Sequence, residues 1–213
     1  MRKKIFGLVL AVCIMTAIST VYAQASEATL TKRLGVGGYG VGSFQKLSNF
    51  DTAYGAGAYL KYMPTDYIGL EASYDVQKWN FNSDVSGTTG SLNGNFLVTP
   101  LSFTAVLTCP MAKARFYPYI GGGADYIFIN DEVSGKFTPG GNAKIKYNDT
   151  FGGHVSLGFD YALNQDKNWV LNFDAKYTWA NPSAEASVEQ GVLIVNDDTF
   201  DNLAMRMGLA YYF

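Results

Sequence analysis

The chain has 213 residues, of which 48% are hydrophobic, 15% are aromatic and only 16% are charged. Its 16 basic and 18 acidic residues give a formal net charge of −2 at pH 7, which argues against nucleic-acid binding because that function requires a basic surface stripe. The 15 Tyr, 14 Phe and 23 Gly favour an all-β architecture, in which aromatic residues occupy strands and glycines mark turns and bulges.

The amino-terminal segment has the layout of a secretory signal peptide. Basic residues at positions 2–4 precede an apolar run over residues 5–18, and small residues follow up to Ala25. The apolar run is shorter than the about 20 residues that a membrane-spanning helix needs, which disfavours an uncleaved anchor. We therefore predict a signal peptide over residues 1–25 and one domain over residues 26–213.

Eight segments beyond this leader alternate apolar and polar residues in the way that predicts β-strands. Short turns and long polar loops alternate between them, and the longest loops cover residues 82–94, 131–148 and 181–198. Such alternation is typical of an outer-membrane barrel, with turns on the periplasmic side and longer loops outside. An even number of strands then places both termini in the periplasm. The predicted strands cover residues 32–44, 52–63, 67–81, 95–107, 115–130, 149–163, 168–180 and 199–213.

The faces of these strands distinguish lipid from a protein core. In the seventh strand Trp169, Leu171 and Phe173 share one face, while Asn172 and Asp174 share the other. A soluble β-sandwich also has such stripes, but here aromatic residues stand at strand ends, where the interfacial girdles of a membrane barrel lie. The predicted fold is an eight-stranded antiparallel transmembrane β-barrel with up-and-down topology. The strand-end aromatics are Tyr67, Trp79, Trp169, Trp179, Tyr211 and Phe213.

The same parity assigns nine ionisable side chains to the lumen. Eight strands enclose an interior just wide enough for side chains to fill, and buried charges must be paired because an uncompensated one is costly. Three cations facing five carboxylates can form such a network. A polar plug is the favoured interpretation, and a narrow conduit or a pocket among the long loops is the alternative. The nine residues are Lys61, Glu71, Asp75, Asp125, His154, Asp160, Asp174, Lys176 and Arg206.

Candidate catalytic residues are few. His154 and Ser156 lie two residues apart on one strand, a spacing that resembles PagL-type lipid A deacylases, in which a Ser nucleophile needs a His base. However, Leu157 stands where that family has an Asn that supports the oxyanion, and both side chains are predicted to face the lumen rather than lipid. One His and scattered carboxylates also lack the spacing of zinc ligands. We predict no catalytic residue, no metal site and no cofactor.

The sequence of the fifth strand resembles that of a known protein family. Residues 118–126, Pro-Tyr-Ile-Gly-Gly-Gly-Ala-Asp-Tyr, resemble the Pro-Tyr-x-Gly-x-Gly-x-x-Tyr signature of the OmpW/AlkL family of small outer-membrane barrels. The resemblance continues through residues 155–161 and 168–172 to the aromatic end, whereas the first three strands agree in pattern only. It implies passage of small hydrophobic compounds into the outer membrane, through a lumen closed toward the periplasm and a lateral opening between strands.

The expected function is therefore non-enzymatic admission of small hydrophobic molecules, through a mouth formed by the loops after residues 81, 130 and 180. The alternative class is a structural or adhesive barrel of the OmpX/Ail type, whose protruding strand pairs bind surfaces; residues 136–146 are a candidate for one side of such a pair. An apolar run in the last long loop is the expected ligand contact. It consists of Val192, Leu193, Ile194 and Val195.

The expected partners follow from the outer-membrane location. Membrane lipid contacts the apolar face, the barrel is expected to be a monomer, and nucleic acid is not a partner. The strand that ends at Phe213 is expected to be recognised by the barrel assembly machinery, a role carried over from outer-membrane proteins as a class.

Overall fold

The computed structural model describes residues 30–31, 33–45, 52–84, 91–109, 115–137, 141–188, 191–195 and 200–213. For residues 45, 80–84, 91–96, 131–137, 141–147, 184–188, 191–195 and 200 it describes the backbone only. The predicted signal peptide lies outside the described residues. Within them no helix is long and apolar enough to cross a membrane. The strands are β1 (Arg33–Gln45), β2 (Ala53–Met63), β3 (Ile68–Asp84), β4 (Ser91–Thr108), β5 (Phe116–Phe137), β6 (Gly141–Tyr147), β7 (Thr150–Ala162), β8 (Trp169–Ala180), β9 (Ala184–Val188), β10 (Gly191–Val195) and β11 (Phe200–Tyr212).

Eight of these strands close into an antiparallel barrel. Their order around the wall is β1, β2, β3, β4, β5, β7, β8 and β11, and β11 pairs back onto β1 with Gly35 opposite Tyr212 and Gln45 opposite Asn202. Closure removes the strand edges, which is what a sheet needs where no water is available to its backbone. The predicted fold class is confirmed.

Burial alternates with period two along the wall, and the large apolar side chains lie outside. Leu157 and Met207 are 63% and 59% exposed, whereas Lys61 and Asp174 are fully buried. Arg206, between two exposed methionines of β11, is also buried. This arrangement is the inverse of a soluble sheet, and its outer face suits contact with lipid.

The strand-end aromatics divide between the two faces. Trp169, Tyr211 and Phe213 form an edge-to-face series on the outer surface, with successive ring centroids 5.1 Å apart. The placement of Trp79 in an outer girdle is wrong, because Trp79 is 1% exposed and packs inside the barrel with Val98. Trp79 has the same parity as the inward-facing residues of β3, and this parity determines that its side chain faces the lumen. Its position near the strand end does not determine the face.

The long connections are shorter than predicted, because the strands on either side continue past the barrel rim. β3 runs to Asp84, β4 begins at Ser91 and β5 runs to Phe137. Within the predicted loops, β6 pairs with β5, β9 with β6, and β10 with β9. An isolated two-stranded ribbon is marginal in water, and joining the existing sheet gives these backbones partners. One side of the wall thus projects beyond the rim as an extended sheet.

Candidate functional site

Three layers of side chains fill the lumen. The layer near the short turns includes Leu30, Met63, Val170, Ala210 and Tyr212. The layer near the long connections consists of Ala53, Trp79, Val98, Ile127 and Ala180. Between these apolar layers lie charged and hydrogen-bonding side chains, and all nine lumen residues predicted from the sequence are found there with exposures of 8% or less.

The first ion pair of this middle layer joins β2 to β7. Lys61 Nζ lies 2.6 Å from Asp160 Oδ2 and 4.3 Å from the centroid of the Tyr119 ring. The Asn172 amide donates to Asp160 Oδ1 at 2.7 Å and to the Tyr119 hydroxyl at 3.0 Å. Because both charges are buried and both have further polar partners, the pair satisfies the conditions under which a buried ion pair is tolerated.

A second cluster surrounds Arg206. Its Nε donates to Asp174 Oδ1 at 2.7 Å and its Nη2 lies 2.5 Å from the same oxygen. Nη2 also lies 3.7 Å from Glu71 Oε1, and the guanidinium stands 5.2 Å from the Tyr39 ring centroid. A planar guanidinium can serve two carboxylates and an aromatic face at once, which a Lys ammonium does less well.

The third cluster connects β4, β5, β7 and β8. Asp125 accepts hydrogen bonds from Lys176 Nζ at 2.7 Å and from His154 Nδ1 at 2.9 Å. Lys176 also donates to the Ser102 hydroxyl at 2.6 Å, and His154 Nε2 lies 2.9 Å from Thr104 Oγ1. With the proton on Nδ1, His154 donates to the carboxylate and accepts from the threonine, so both ring nitrogens are satisfied.

Asp75 differs from the other four lumen carboxylates. It accepts hydrogen bonds from the Tyr39 hydroxyl at 2.8 Å and from Gln77 Nε2 at 2.5 Å. Among the described residues no cation lies within 4.0 Å of it, whereas the other four carboxylates each have one. Five carboxylates therefore face three Lys and Arg cations in the described lumen, and the layer carries an excess of negative charge when His154 is neutral.

The glycines of the β5 signature make room for the third cluster. A Cβ on Gly123 would lie 1.9 Å from the Phe103 carbonyl oxygen and 2.9 Å from His154 Cε1. A Cβ on Gly121 would lie 2.5 Å from Ser156 Oγ. The backbone of β5 thus approaches its neighbours more closely than any side chain permits.

His154 does not have the contacts that a His154–Ser156 catalytic pair would need. The hydroxyl that His154 contacts belongs to Thr104 on β4, on the other side of Gly123 of β5, and Asp125 holds the other ring nitrogen. All of these side chains face the lumen and are at least nine-tenths buried. The described residues also include no group of three or more His, Cys, Asp and Glu side chains placed to hold a metal ion.

Sequence reasoning missed most of the uncharged members of the network. These side chains have the same inward parity on strands that were recognised, so parity applied to every polar and aromatic residue identifies them. The missed members are Tyr39, Ser43, Ser102, Thr104 and Tyr119; Gln77 and Asn172, which the sequence places on the polar faces of their strands, are the other uncharged members.

A small cavity lies between the middle layer and the rim, beside an interruption of the wall. The β3–β4 ladder has the same register on both sides of the interruption, with Tyr74 opposite Leu101 and Gln77 opposite Val98. The two residue pairs between these are not bridged. One of these four residues is Pro100, which has no N–H to donate. The centre of a water molecule can move within about 10 Å³ of this cavity, so the cavity has room for one water molecule. Its lining is Asp75, Gln77, Val98, Pro100, Ile127, Lys176, Thr178, Asn202, Ala204 and Arg206.

The predicted ligand contacts Val192, Leu193, Ile194 and Val195 lie in β10, in the projecting sheet. Their backbone pairs with β9, with Leu193 opposite Ala186 and Val195 opposite Ala184. β10 is part of the sheet for which the backbone is described, and the ligand role of these residues stays a prediction.

Comparison with known proteins adds to this geometry. The sequence profile of the OmpW family matches residues 12–213. The chain is 32% identical to outer membrane protein W of Vibrio cholerae over 138 residues, which are 63% of this chain and 62% of that relative. The match thus spans a little under two thirds of the Vibrio protein.

Solved structures show the same fold. The outer membrane protein OprG from Pseudomonas aeruginosa superposes with a TM-score of 0.65 at 21% identity, covering 87% of this chain and 98% of OprG. Ail, the attachment invasion locus protein of Yersinia pestis, gives a TM-score of 0.52 at 12% identity, covering 86% of this chain and 99% of Ail. At these identities the likeness concerns the fold alone. With the family profile matched along nearly its whole length, the chain belongs to the OmpW family and is an outer-membrane β-barrel.

Proposed function

We propose that this barrel admits small hydrophobic molecules at the cell surface and releases them sideways into the outer membrane. The observation that carries the proposal is the interrupted β3–β4 ladder at Pro100, directly beside the lumen cavity. Pro100 has no N–H to donate across the ladder, so this seam lacks a backbone hydrogen bond that a regular seam has, and the wall separates there at lower cost.

The layers below the cavity support a lateral route over an axial one. A molecule that continued along the axis would have to displace the ion pairs of Lys61, Lys176 and Arg206, all of them buried. Beneath them Leu30 and Tyr212 belong to a further apolar layer with exposures of 3% and 0%. The lumen is thus closed toward the end that carries the short turns.

The backbone register of the projecting sheet supports an apolar approach to the mouth. Val133 of β5 has the parity of the inward Ile127, and the register places Ile145, Ala186 and Leu193 successively opposite it across β6, β9 and β10. The neighbouring row has Ser134, Lys144, Ser187 and Val192 in the corresponding positions. The row that continues the lumen side is thus apolar throughout, whereas three of the four residues in the row that continues the lipid side are polar.

These rows divide the predicted ligand contacts into two pairs. Replacing Leu193 and Val195 by Ser is expected to slow uptake severalfold, because both stand on the lumen-side rows. Replacing Val192 and Ile194 by Ser is the matched control, with equal loss of apolar surface and little effect on uptake. Equal slowing by both double variants would contradict the assignment of faces, and no slowing by either would remove β10 from the route.

A disulfide across the unbridged seam tests the route itself. In a Cys109→Ser background, the double variant Val76→Cys/Thr99→Cys places two thiols on opposing residues of β3 and β4. Oxidation is expected to stop uptake of the hydrophobic probe 1-N-phenylnaphthylamine by expressing cells, and reduction to restore it, because the bond holds the seam shut.

The control for this experiment is a disulfide in a fully bridged seam. Leu171→Cys/Leu209→Cys joins opposing residues of β8 and β11 without touching the interruption. Uptake should then be the same in the oxidised and reduced states. If uptake continues through the oxidised Val76–Thr99 variant, the lateral route at Pro100 is wrong.

The projecting sheet also favours a second candidate, a surface-binding barrel comparable to the OmpX/Ail type. β6 overlaps residues 136–146, the segment expected to form one side of a protruding pair, and β9 and β10 extend it. Such a sheet edge can pair with an extended strand of a partner. Replacing residues 184–195 by a short Gly-Ser turn should abolish adherence of expressing cells to protein-coated glass if this is the function, and leave adherence unchanged if it is not.

The remaining parts of the proposal concern placement and chemistry. Gly35 and Tyr212 pair at the short-turn end, and we infer that this end faces the periplasm, with both termini on that side. We further infer a monomeric, non-enzymatic barrel, inserted by the assembly machinery through the strand that ends at Phe213. Resistance of a carboxyl-terminal epitope tag to protease in intact cells, and its loss after permeabilisation, tests the orientation.

A further inference from the structure

We propose that the cavity beside Pro100 binds the hydrogen-bond-donating head, a hydroxyl or an ammonium group, of the small amphiphiles that use this route. The inference deepens the proposed function and rests on it. It joins three features in one place: a buried acceptor without a partner, a carboxylate without a counter-ion, and the unbridged seam.

The acceptor is the side chain of Asn202 on β11. Asn202 is 5% exposed, it lines the cavity, and its Oδ1 atom is buried without a hydrogen-bond partner. Leaving a buried acceptor unsatisfied is costly, and a native structure retains such a group when something else satisfies it. A donor at the end of a bound molecule provides the missing hydrogen bond.

The charge of the cavity favours donors over acids. Asp75 lines the cavity and has no cation within 4.0 Å among the described residues. Lys176 and Arg206 line it too, but they are held by Asp125 and Asp174 at 2.7 and 2.5 Å. With more carboxylates than cations in the layer, a carboxylate head would add a further unpaired negative charge, and a hydroxyl or an ammonium would not.

The dimensions agree with a head group rather than a whole ligand. Room for one water molecule is also room for one hydroxyl or ammonium group. The apolar part of the cavity lining comes from Ala204 and from Val98, Pro100 and Ile127, and the last three lie at the seam or in the rim layer. The alkyl part of an amphiphile therefore has an apolar surface to follow while its head remains in the cavity.

The three tryptophans of the chain supply the test. Trp79 packs in the lumen against Val98 and Ile127, whereas Trp169 and Trp179 are 46% and 45% exposed on the outer face. A Trp169→Phe/Trp179→Phe variant leaves a lumen reporter, and a Trp79→Phe/Trp169→Phe variant leaves a lipid reporter. Fluorescence quenching of each, in phosphatidylcholine vesicles, is measured with 6-bromohexan-1-ol, 6-bromohexylammonium, 6-bromohexanoate and 1-bromohexane.

Quenching of the lumen reporter, corrected by the lipid reporter, is expected to be about fivefold stronger for the alcohol and the ammonium than for the carboxylate and the bromoalkane, as one net hydrogen bond predicts. Asn202→Leu should lower quenching by the alcohol about fivefold, and Asp75→Asn should lower quenching by the ammonium most. Asn181→Leu, an exposed asparagine at the same end of the barrel, is the matched control and should change nothing.

The outcomes separate this inference from the function on which it rests. If all four probes quench Trp79 equally and Asn202→Leu has no effect, the head-group site is wrong while uptake into the lumen stands. If no probe quenches Trp79 beyond the lipid reporter, the proposed function itself fails. Should Asn202→Leu not fold, as judged by heat-modifiable migration in detergent gels, the probe ranking and the Asp75→Asn variant decide the question.

Discussion

Replacing Lys61 by Met measures how strongly paired charges hold the middle layer closed. Lys61 and Asp160 are 2.6 Å apart, with side-chain exposures of 0% and 2%. Met retains much of the volume of Lys, so the principal loss is the ion pair. Removing one member of a buried pair costs about 3–5 kcal/mol, because the remaining charge lacks a counter-ion. We expect a loss near the lower value, about 3 kcal/mol, because Asp160 keeps the hydrogen bond from Asn172.

The double variant distinguishes pairing from packing. Asp160→Asn alone leaves Lys61 buried against the Tyr119 ring and should also be destabilising. Lys61→Met/Asp160→Asn leaves neither charge, so its loss of unfolding free energy should be about 2 kcal/mol smaller than the sum of the single losses. Urea unfolding in phospholipid vesicles, followed by tryptophan fluorescence, measures all three. Lys78→Met, on an exposed lysine of β3 next to the rim-layer Trp79, should change the unfolding free energy by no more than about 1 kcal/mol, the cost of an outward Lys near the membrane interface. Additive losses in the double variant would refute the argument.

Two further substitutions probe the third cluster by the same unfolding assay. Gly123→Ala is expected to destabilise the barrel by about 1–3 kcal/mol, because the added Cβ meets the Phe103 carbonyl. Gly40→Ala is the control: a Cβ at Gly40 has no atom within 4 Å, so this variant should be more stable by about 0.4–1 kcal/mol. Thr104→Val should cost about 1–3 kcal/mol, because it leaves His154 Nε2 without its partner; an unchanged urea midpoint would show that the hydroxyl contributes nothing there.

Period-two alternation was enough to predict the wall and the inward set. Asp174 and Lys176 on β8 and Arg206 on β11 are buried as parity requires, because successive residues of a strand point to opposite faces. Parity does not specify which charges meet. Lys61 and Asp160 are 99 positions apart in the chain, and their contact depends on the tilt and stagger of eight closed strands. That stagger is a property of the whole ring, and no local segment encodes it.

The projecting sheet was missed for a different physical reason. Residues 131–148 are rich in Gly, Lys and Asn, a composition typical of loops. Their strands are stabilised by pairing with β9, more than 35 positions further along the chain, as in the pairing of Ile145 with Ala186. Amino-acid composition reports only the loop-like character of the segment. It does not report the pairing with β9, because β-propensity depends strongly on what a strand pairs with. The unbridged seam at Pro100 was within reach of the sequence, since a proline inside a strand of a closed wall must interrupt a ladder somewhere.

The energetics of the two possible exits favour the proposed lateral route. An axial exit has to open the Lys61, Lys176 and Arg206 pairs, each worth about 3–5 kcal/mol when one buried partner is left uncompensated. It then has to open the apolar layer that contains Tyr212. A lateral exit at Pro100 begins where a ladder hydrogen bond is already missing, so fewer backbone hydrogen bonds have to open there than at a regular seam. The ion pairs that close the axis thus make the seam the exit with the lower energetic cost. Weakening these pairs, as in Lys61→Met, should raise ion leakage along the axis without speeding uptake of hydrophobic probes.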